Sequence, residues 1–368
     1  MKKLGFGTMR LPLTDPEDAS SVDIKKTTEL FDRFLDEGFT YFDTAYFYHK
    51  SKSESVIGEV LVKRHPRESF SITDKLPIDY LNEKADVQRI YEEQKKRLGT
   101  EYFDYYFMHA ISRERFDKAK EFGVLDYLAE KKEAGEIKHS GFSFHGKPDE
   151  LAYILDNYVP ELVQIQLNYY DWLSEGVQAK KLYDIIRSHG AEISIMEPLR
   201  GGALADPPEE VRAAIAEIVP GASPAEAGIR FAASMPGVKV VLSGMSNMDQ
   251  LTENMGYMKD FEPLTDDQLN KMAALYTVLD NCTKIKCTAC AYCVEGCPMN
   301  IAIPDYFALY NKSEVFGKRM AYTGAYAKLT ESHGKAADCL SCGACESVCT
   351  QGLPIASLMA EVSARFDK

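Results

Sequence analysis

Cysteines near the C-terminal end carry the most specific pattern in this 368-residue sequence. Eight of the nine fall as Cys287-x₂-Cys290-x₂-Cys293-x₃-Cys297 and Cys339-x₂-Cys342-x₂-Cys345-x₃-Cys349. Two residues between thiolates let a tight loop wrap three sulfurs onto three corners of an iron–sulfur cube. The fourth cysteine, one residue further out, points away and reaches a neighbouring cube. The spacing therefore predicts crossed ligation. Cys287, Cys290, Cys293 and Cys349 would hold one [4Fe–4S] cluster, and Cys297, Cys339, Cys342 and Cys345 the second. The competing readings are weaker. A tetrathiolate zinc site uses two CxxC pairs, not two quartets, and a redox dithiol needs only one pair. Cys282 stands outside both quartets and reads as a plain buried thiol. No cysteine precedes it, which argues against a disulfide framework spread along the chain.

A second set of residues suits proton transfer. Asp43 and Tyr48 lie in FDTAYFYH, Lys75 closes SITDK, and His109 closes YFDYYFMH. A tyrosine can protonate a developing alkoxide, but its ordinary pKa near 10 is high for that task. A nearby ammonium stabilises tyrosinate and lowers that value. A carboxylate keeps the lysine charged and aimed, and a histidine orients a substrate oxygen. Each residue alone has a bland reading: a helix cap, a core histidine, a surface lysine. The set acquires meaning because each member sits at or just past the end of a predicted strand.

Those strands are short apolar runs: Leu4–Thr8, Phe39–Asp43, Phe70–Asp74, Phe103–Met108, Ile137–Phe142, Leu162–Leu167, Ala191–Met196 and Val238–Ser243. Each is rich in aromatic or β-branched residues and reads as a buried parallel strand. Amphipathic stretches alternate with them, at Ser21–Glu37, Glu83–Leu98, Asp117–Ala134 and Gly176–His189. Gly38, Gly99, Gly135 and Gly190 fall where those helices should stop. Eight strand–helix units over about 250 residues predict an α/β fold of the (β/α)₈ barrel type. An open doubly wound sheet is the rival, disfavoured by eight units in one even series. Functional residues of such a barrel gather at the C-terminal ends of its strands. Residues 263–281 read as a further helix leading into the cysteine-rich tail, where Ile303–Lys318 also reads as helical. The expected division is therefore a barrel over 1–262 and a small, mainly helical iron–sulfur domain over 263–368.

The segments LGFGTMR, FDTAYFYH followed by SESVIGEVL, SITDK and YFMH resemble the aldo/keto reductases over about residues 1–258. The whole chain resembles the subgroup with a C-terminal ferredoxin-type domain, since both quartets show the bacterial ferredoxin spacing. The first resemblance implies direct hydride transfer from NADP or NAD to an aldehyde or ketone. Tyr48 would be the general acid, Lys75 its pKa depressor, Asp43 the partner of Lys75, and His109 the group that orients the carbonyl. It also places Gly7 and Thr8 near the cofactor, and Ser143 and Gln164 at the nicotinamide carboxamide. Phe144 replaces the asparagine that often follows that serine. Met196, ahead of Pro198 and Leu199, takes the place of a stacking aromatic. Ser243, Gly244, Gln250 and Asn254 match the segment around the adenosine and its phosphates, with Asn254 at the adenine. Gly244 and Gln250 stand where NADPH users place Lys or Arg, which weakens an NADP assignment.

Composition bounds the remaining options. A net charge of −13 disfavours a nucleic-acid-coating surface. No apolar stretch is long enough for a membrane span, and the N-terminal segment is not a secretory leader. A cytoplasmic location is expected, with no nucleic-acid or membrane partner. Walker-type phosphate loops, HExxH and GxSxG are absent. Arg113 and Arg115 follow His109 and read as a solvated loop face rather than an anion site. Three functions remain. One is a carbonyl reductase accompanied by two clusters, with a small-molecule carbonyl substrate and a redox protein as a further partner. The others are a reductase fed by the clusters with little nicotinamide use, and a non-enzymatic electron carrier or redox sensor.

Overall fold

A computed structural model describes the chain except residues 1, 17, 282, 283, 288, 290, 318, 319, 350 and 368 and the side chain of Tyr292. Eight parallel strands close into a barrel in sequence order. They are β1 (Leu4–Gly7), β2 (Tyr41–Asp43), β3 (Ser71–Leu76), β4 (Phe103–Ile111), β5 (Ile137–Phe144), β6 (Leu162–Gln166), β7 (Glu192–Met196) and β8 (Val238–Ser243). All eight expected runs are strands, with ends displaced by up to three residues. The helical stretch expected over Asp117–Ala134 is instead two helices, Arg113–Glu121 and Val124–Glu133. Gly123 separates them with a left-handed φ of 74°, a conformation glycine adopts without steric cost. The glycines expected to stop helices, Gly38, Gly99, Gly135 and Gly190, all have positive φ.

The barrel interior is packed with side chains, not open. Tyr41, Tyr105, Phe107, Leu162, Val240 and Leu242 form one buried cluster. Gly141 is required there, because a Cβ at this position would lie 2.4 Å from both the Leu162 carbonyl oxygen and the Phe107 ring. With the lower barrel filled, accessible chemistry is confined to the strand ends.

Two compact units make up the chain: Met1–Gly201 with Ile218–Tyr276, and Gly202–Glu217 with Thr277–Lys368. Helix Asp266–Asn281 starts in the first and ends in the second. In the second unit, helices Ile303–Phe316 and Ile355–Phe366 bury Tyr306, Phe307, Met359 and Val362 in a core of their own. Tyr326 links that core to its edges. Its hydroxyl accepts from Ala336 N at 2.8 Å and donates to Asp367 at 2.9 Å.

Candidate functional site

Strand register explains why distant residues meet at one end of the barrel. Asp43 on β2 pairs with Thr73 on β3, and Lys75 lies two residues further along the same face. Lys75 pairs in turn with Phe107 on β4, and His109 lies two further on. Side chains two apart share a face, so Asp43, Lys75 and His109 all point inward, each one step higher. Ser143 on β5 pairs with Gln164 on β6, which pairs with Ser194 on β7. This second row faces the same interior.

The resulting contacts are short and buried. The Lys75 ammonium, with no exposed surface, donates to Asp43 Oδ1 and to the Thr44 carbonyl, both at 2.6 Å. Gln164 Nε2 donates to the other Asp43 oxygen at 3.0 Å and to Ser194 Oγ at 3.3 Å. Lys75 Nζ lies 5.3 Å from the centre of the Tyr48 ring. Tyr48 meets His109 edge to face, at 6.1 Å between ring centres. The structure thus brings Asp43, Tyr48, Lys75 and His109 together.

Tyr48 is held by an unusual turn. His49, Lys50 and Ser51 all have φ between 52° and 65°, a left-handed run that costs free energy for residues other than glycine. His49 pins it, with Nε2 2.9 Å from the Thr8 carbonyl and Nδ1 2.8 Å from the Ala19 carbonyl. Beneath it, the hydroxyls of Thr8, Ser53 and Thr44 are linked at 3.0 and 2.9 Å.

Burial dominates the electrostatics. Close packing pushes the Tyr48 phenol above its usual range; the Lys75 charge pulls the other way but does not outweigh it. The net direction is therefore opposite to the lowering expected from the ammonium alone. For Lys75, burial disfavours the charge, but Asp43 and Tyr48 outweigh it and the pKa rises. His109 is driven down to about 2, by burial first and then by the Lys75 charge. It is a neutral imidazole, and its Nδ1 is buried with no hydrogen-bond partner among the described residues. Behind Lys75 lies a feature with no signal in the sequence. Asp74 and Glu54 are both fully buried, and burial raises both carboxyls above their usual range. Asp74 accepts from the Lys75 backbone N–H at 2.8 Å, and Glu54 is held by Gln94 and Arg97, each at 2.8 Å.

Ser143 has a further task in the fold. Its hydroxyl accepts from the Ala110 N–H at 2.7 Å, while Arg115 donates to the Ala110 carbonyl at 2.6 Å. Ala110 is left-handed, with φ 49°, at a register irregularity of β4 between Met108 and Ile111. Such irregularities re-aim side chains, here the adjacent His109. Arg115 also grips both oxygens of Asp79, with Nε to Oδ1 at 2.8 Å. Arg113 lies over the Tyr153 ring at 4.2 Å.

The positions matched to a nucleotide form the opposite rim. After β7, Met196 and Leu199 are partly exposed and Pro198 is buried; Leu199 packs against Gly228. After β8, Gly244 is covered by the stem of Arg10, whose atoms lie 3.2–3.4 Å from a Cβ built there. Arg10 follows Gly7 and Thr8, is half exposed, and has Glu197 at 3.8 Å. Gln250 is folded back to accept from the Ser246 N–H at 2.8 Å. Asn254 donates to Ser243 Oγ at 3.0 Å and accepts from Tyr257 at 2.5 Å. A hydroxyl and an amide at the floor and a cation at the rim fit a nicotinamide nucleotide.

In the second unit, Cys297, Cys339, Cys342 and Cys345 line one cavity of about 380 Å³, part of it open to solvent. Its walls include Ile301, Ile355 and Met359. Cys287, Cys293 and Cys349 line another of about 330 Å³, beside Phe307 and Leu353. Cys290 and Cys282 lie outside the described residues. Among the described residues, no three His, Cys, Asp or Glu side chains converge as for a single metal ion. Thiols spread around two apolar-walled spaces fit a cubane cluster in each.

Comparison with known proteins finds a match for each part of the chain. The profile of the Aldo/keto reductase family matches residues 3–277, and that of a 4Fe-4S dicluster domain matches residues 286–353. L-galactose dehydrogenase of Arabidopsis thaliana is 26% identical over 279 residues, 67% of this chain and 82% of that one. The holo form of aldo-keto reductase AKR11C1 from Bacillus halodurans superposes with a TM-score of 0.61 at 22% identity, over 74% of this chain and 91% of that one. An aldo-keto reductase from Klebsiella pneumoniae in complex with NADPH gives 0.58 at 19%, over 74% and 90%.

Sequence reasoning missed Arg10, Thr44, Glu54, Asp74 and Ser194. Arg10 was signalled by its place two residues after Thr8. The others are polar residues whose burial only the closed barrel reveals.

Proposed function

The chain belongs to the aldo/keto reductase family and carries a 4Fe–4S dicluster domain, and on that premise we propose that it reduces an aldehyde or ketone to the alcohol at the C-terminal mouth of the barrel. The observation that carries this reading is the buried Asp43–Lys75 pair beside Tyr48 and a neutral His109. Arg10, Ser143 and Gln164 would hold NADPH or NADH, which would supply the hydride. The protein supplies the rest. Neutral His109 donates an N–H to the carbonyl oxygen and fixes its direction. Tyr48, kept protonated by burial, gives its hydroxyl proton to that oxygen as the alcohol forms. The Lys75 ammonium stabilises the tyrosinate left behind, and Asp43, held by Gln164, keeps Lys75 charged and aimed.

The clusters have no step in this reaction, because a cubane moves one electron and hydride transfer moves two. We assign Cys287, Cys290, Cys293 and Cys349 to one [4Fe–4S] cluster and Cys297, Cys339, Cys342 and Cys345 to the other, for exchange with a one-electron partner. The Tyr48→Phe variant tests the barrel reading. Carbonyl reduction should fall by about 10²–10⁴, with iron and sulfide content unchanged; retained activity would refute the role of Tyr48.

One observation favours a second reading, in which the clusters feed the barrel and nicotinamide binds weakly: Gly244 and Gln250, on the rim after β8, carry no charge to meet a nucleotide phosphate. Direct titration separates the two, since tight binding of NADH or NADPH argues against it.

A further inference from the structure

Four rings stand together beside the proton donor. Phe47 lies flat on His109, with 4.7 Å between centres and 6° between planes. Tyr80 continues the stack, 6.4 Å from Phe47 at 20°, and rests edge-on against Tyr46 at 5.5 Å. Phe47 is 42% exposed and Tyr80 51%. Phe47 and Tyr80 adjoin each other, so together they form an exposed apolar patch of the kind that marks a ligand groove. The turn bearing Tyr80 is anchored, not loose. Asp79, its neighbour in the Ile78–Tyr80 turn, is gripped at both oxygens by Arg115. Arg115 also holds the Ala110 carbonyl next to His109, so one side chain fixes both the ledge and the catalytic strand end. The ledge offers little to a polyhydroxylated ligand. Asp79 and Arg115 satisfy each other, and Glu93 behind it is bonded to Arg97 and Tyr46.

Building on the carbonyl-reductase reading, we propose that the substrate is a flat, apolar carbonyl compound, an aryl or conjugated aldehyde or ketone, whose ring lies against Phe47 and Tyr80. Stacking beside His109 would present the attached carbonyl to Tyr48. Phe47 and Tyr80 then set specificity, and Arg115 is a positioning residue.

The test compares kcat/KM for benzaldehyde, a straight-chain aldehyde of similar carbon number and an aldose, in the wild type, Tyr80→Ala and Tyr80→Phe. The wild type should favour benzaldehyde. That preference should fall about three- to tenfold in Tyr80→Ala and survive in Tyr80→Phe. An equal preference in all three proteins, or a wild type that favours the aldose, would overturn the proposal. Equilibrium binding of the same aldehydes separates this claim from the one beneath it. Tyr80-dependent binding of benzaldehyde without turnover would contradict the reductase reading and leave the substrate class standing. Turnover without Tyr80 dependence would do the reverse.

Discussion

The barrel mouth and the cysteine unit solve the problem of a reactive site in opposite ways. In the barrel, each charged group of the site is met by protein: Asp43 by Lys75 and Gln164, Lys75 by Asp43 and the Thr44 carbonyl. The geometry is complete before a ligand arrives, as preorganised catalysis requires. In the cysteine unit, the thiols face two spaces that their neighbours do not fill. That unit has a core of its own, but a bound group belongs in its middle. The comparison teaches that the first site is stabilised by pairing, while the proposed clusters would stabilise the second on binding.

The sharpest way to break this contrast is to remove a charge from the barrel. Lys75→Met leaves the Asp43 carboxylate buried and unpaired, which costs about 3–5 kcal/mol. Thermal unfolding of the barrel should move down sharply and carbonyl reduction should vanish, while the iron content of folded protein stays the same. Loss of iron in step with activity would erase the distinction between the two regions.

Cysteine pairs sharpen it from the other side. Cys293→Ser and Cys349→Ser should each remove about half of the iron, and so should the two together, because they share a cavity. Combining Cys293→Ser with Cys345→Ser should remove nearly all of it. Equal losses from both double variants would contradict crossed ligation.

Two smaller effects follow from burial in the barrel. His109, held near a pKa of about 2, is already neutral at physiological pH. The profile of kcat/KM should therefore show no acid limb near 6.5, the ordinary histidine value; a limb there, lost in His109→Gln, would contradict a neutral imidazole. The smallest effect concerns Asp74, whose folded pKa is raised. Such a group contributes stability fully below its unfolded pKa and loses it as pH rises toward the folded one. Asp74→Asn mimics the protonated acid, so the variant should gain stability relative to the wild type as pH rises above 4. Melting temperatures at pH 5 and 8 measure this, and a gap that does not widen contradicts it.

Legibility in the sequence followed the same division. Cysteine spacing is local, so both quartets could be read directly, and the eight strands followed from short apolar runs bounded by turns. Asp43, Lys75 and His109 were readable because each closes such a run. The buried carboxyls of Asp74 and Glu54 were not, since their meaning lies in burial created by the closed sheet. The direction of the Tyr48 shift was misjudged for the same reason: an ammonium is visible in sequence, desolvation is not. The break at Gly123 was missed because the apolar pattern continues on either side of it.

The central claim is that the barrel mouth transfers hydride and proton together, independently of the clusters. The most direct test is reduction of an aldehyde using NADPH or NADH carrying deuterium at the nicotinamide C4. Deuterium bound to the former carbonyl carbon of the product is the predicted result. An alcohol whose new carbon-bound hydrogen comes from solvent would contradict it and point to electrons delivered one at a time.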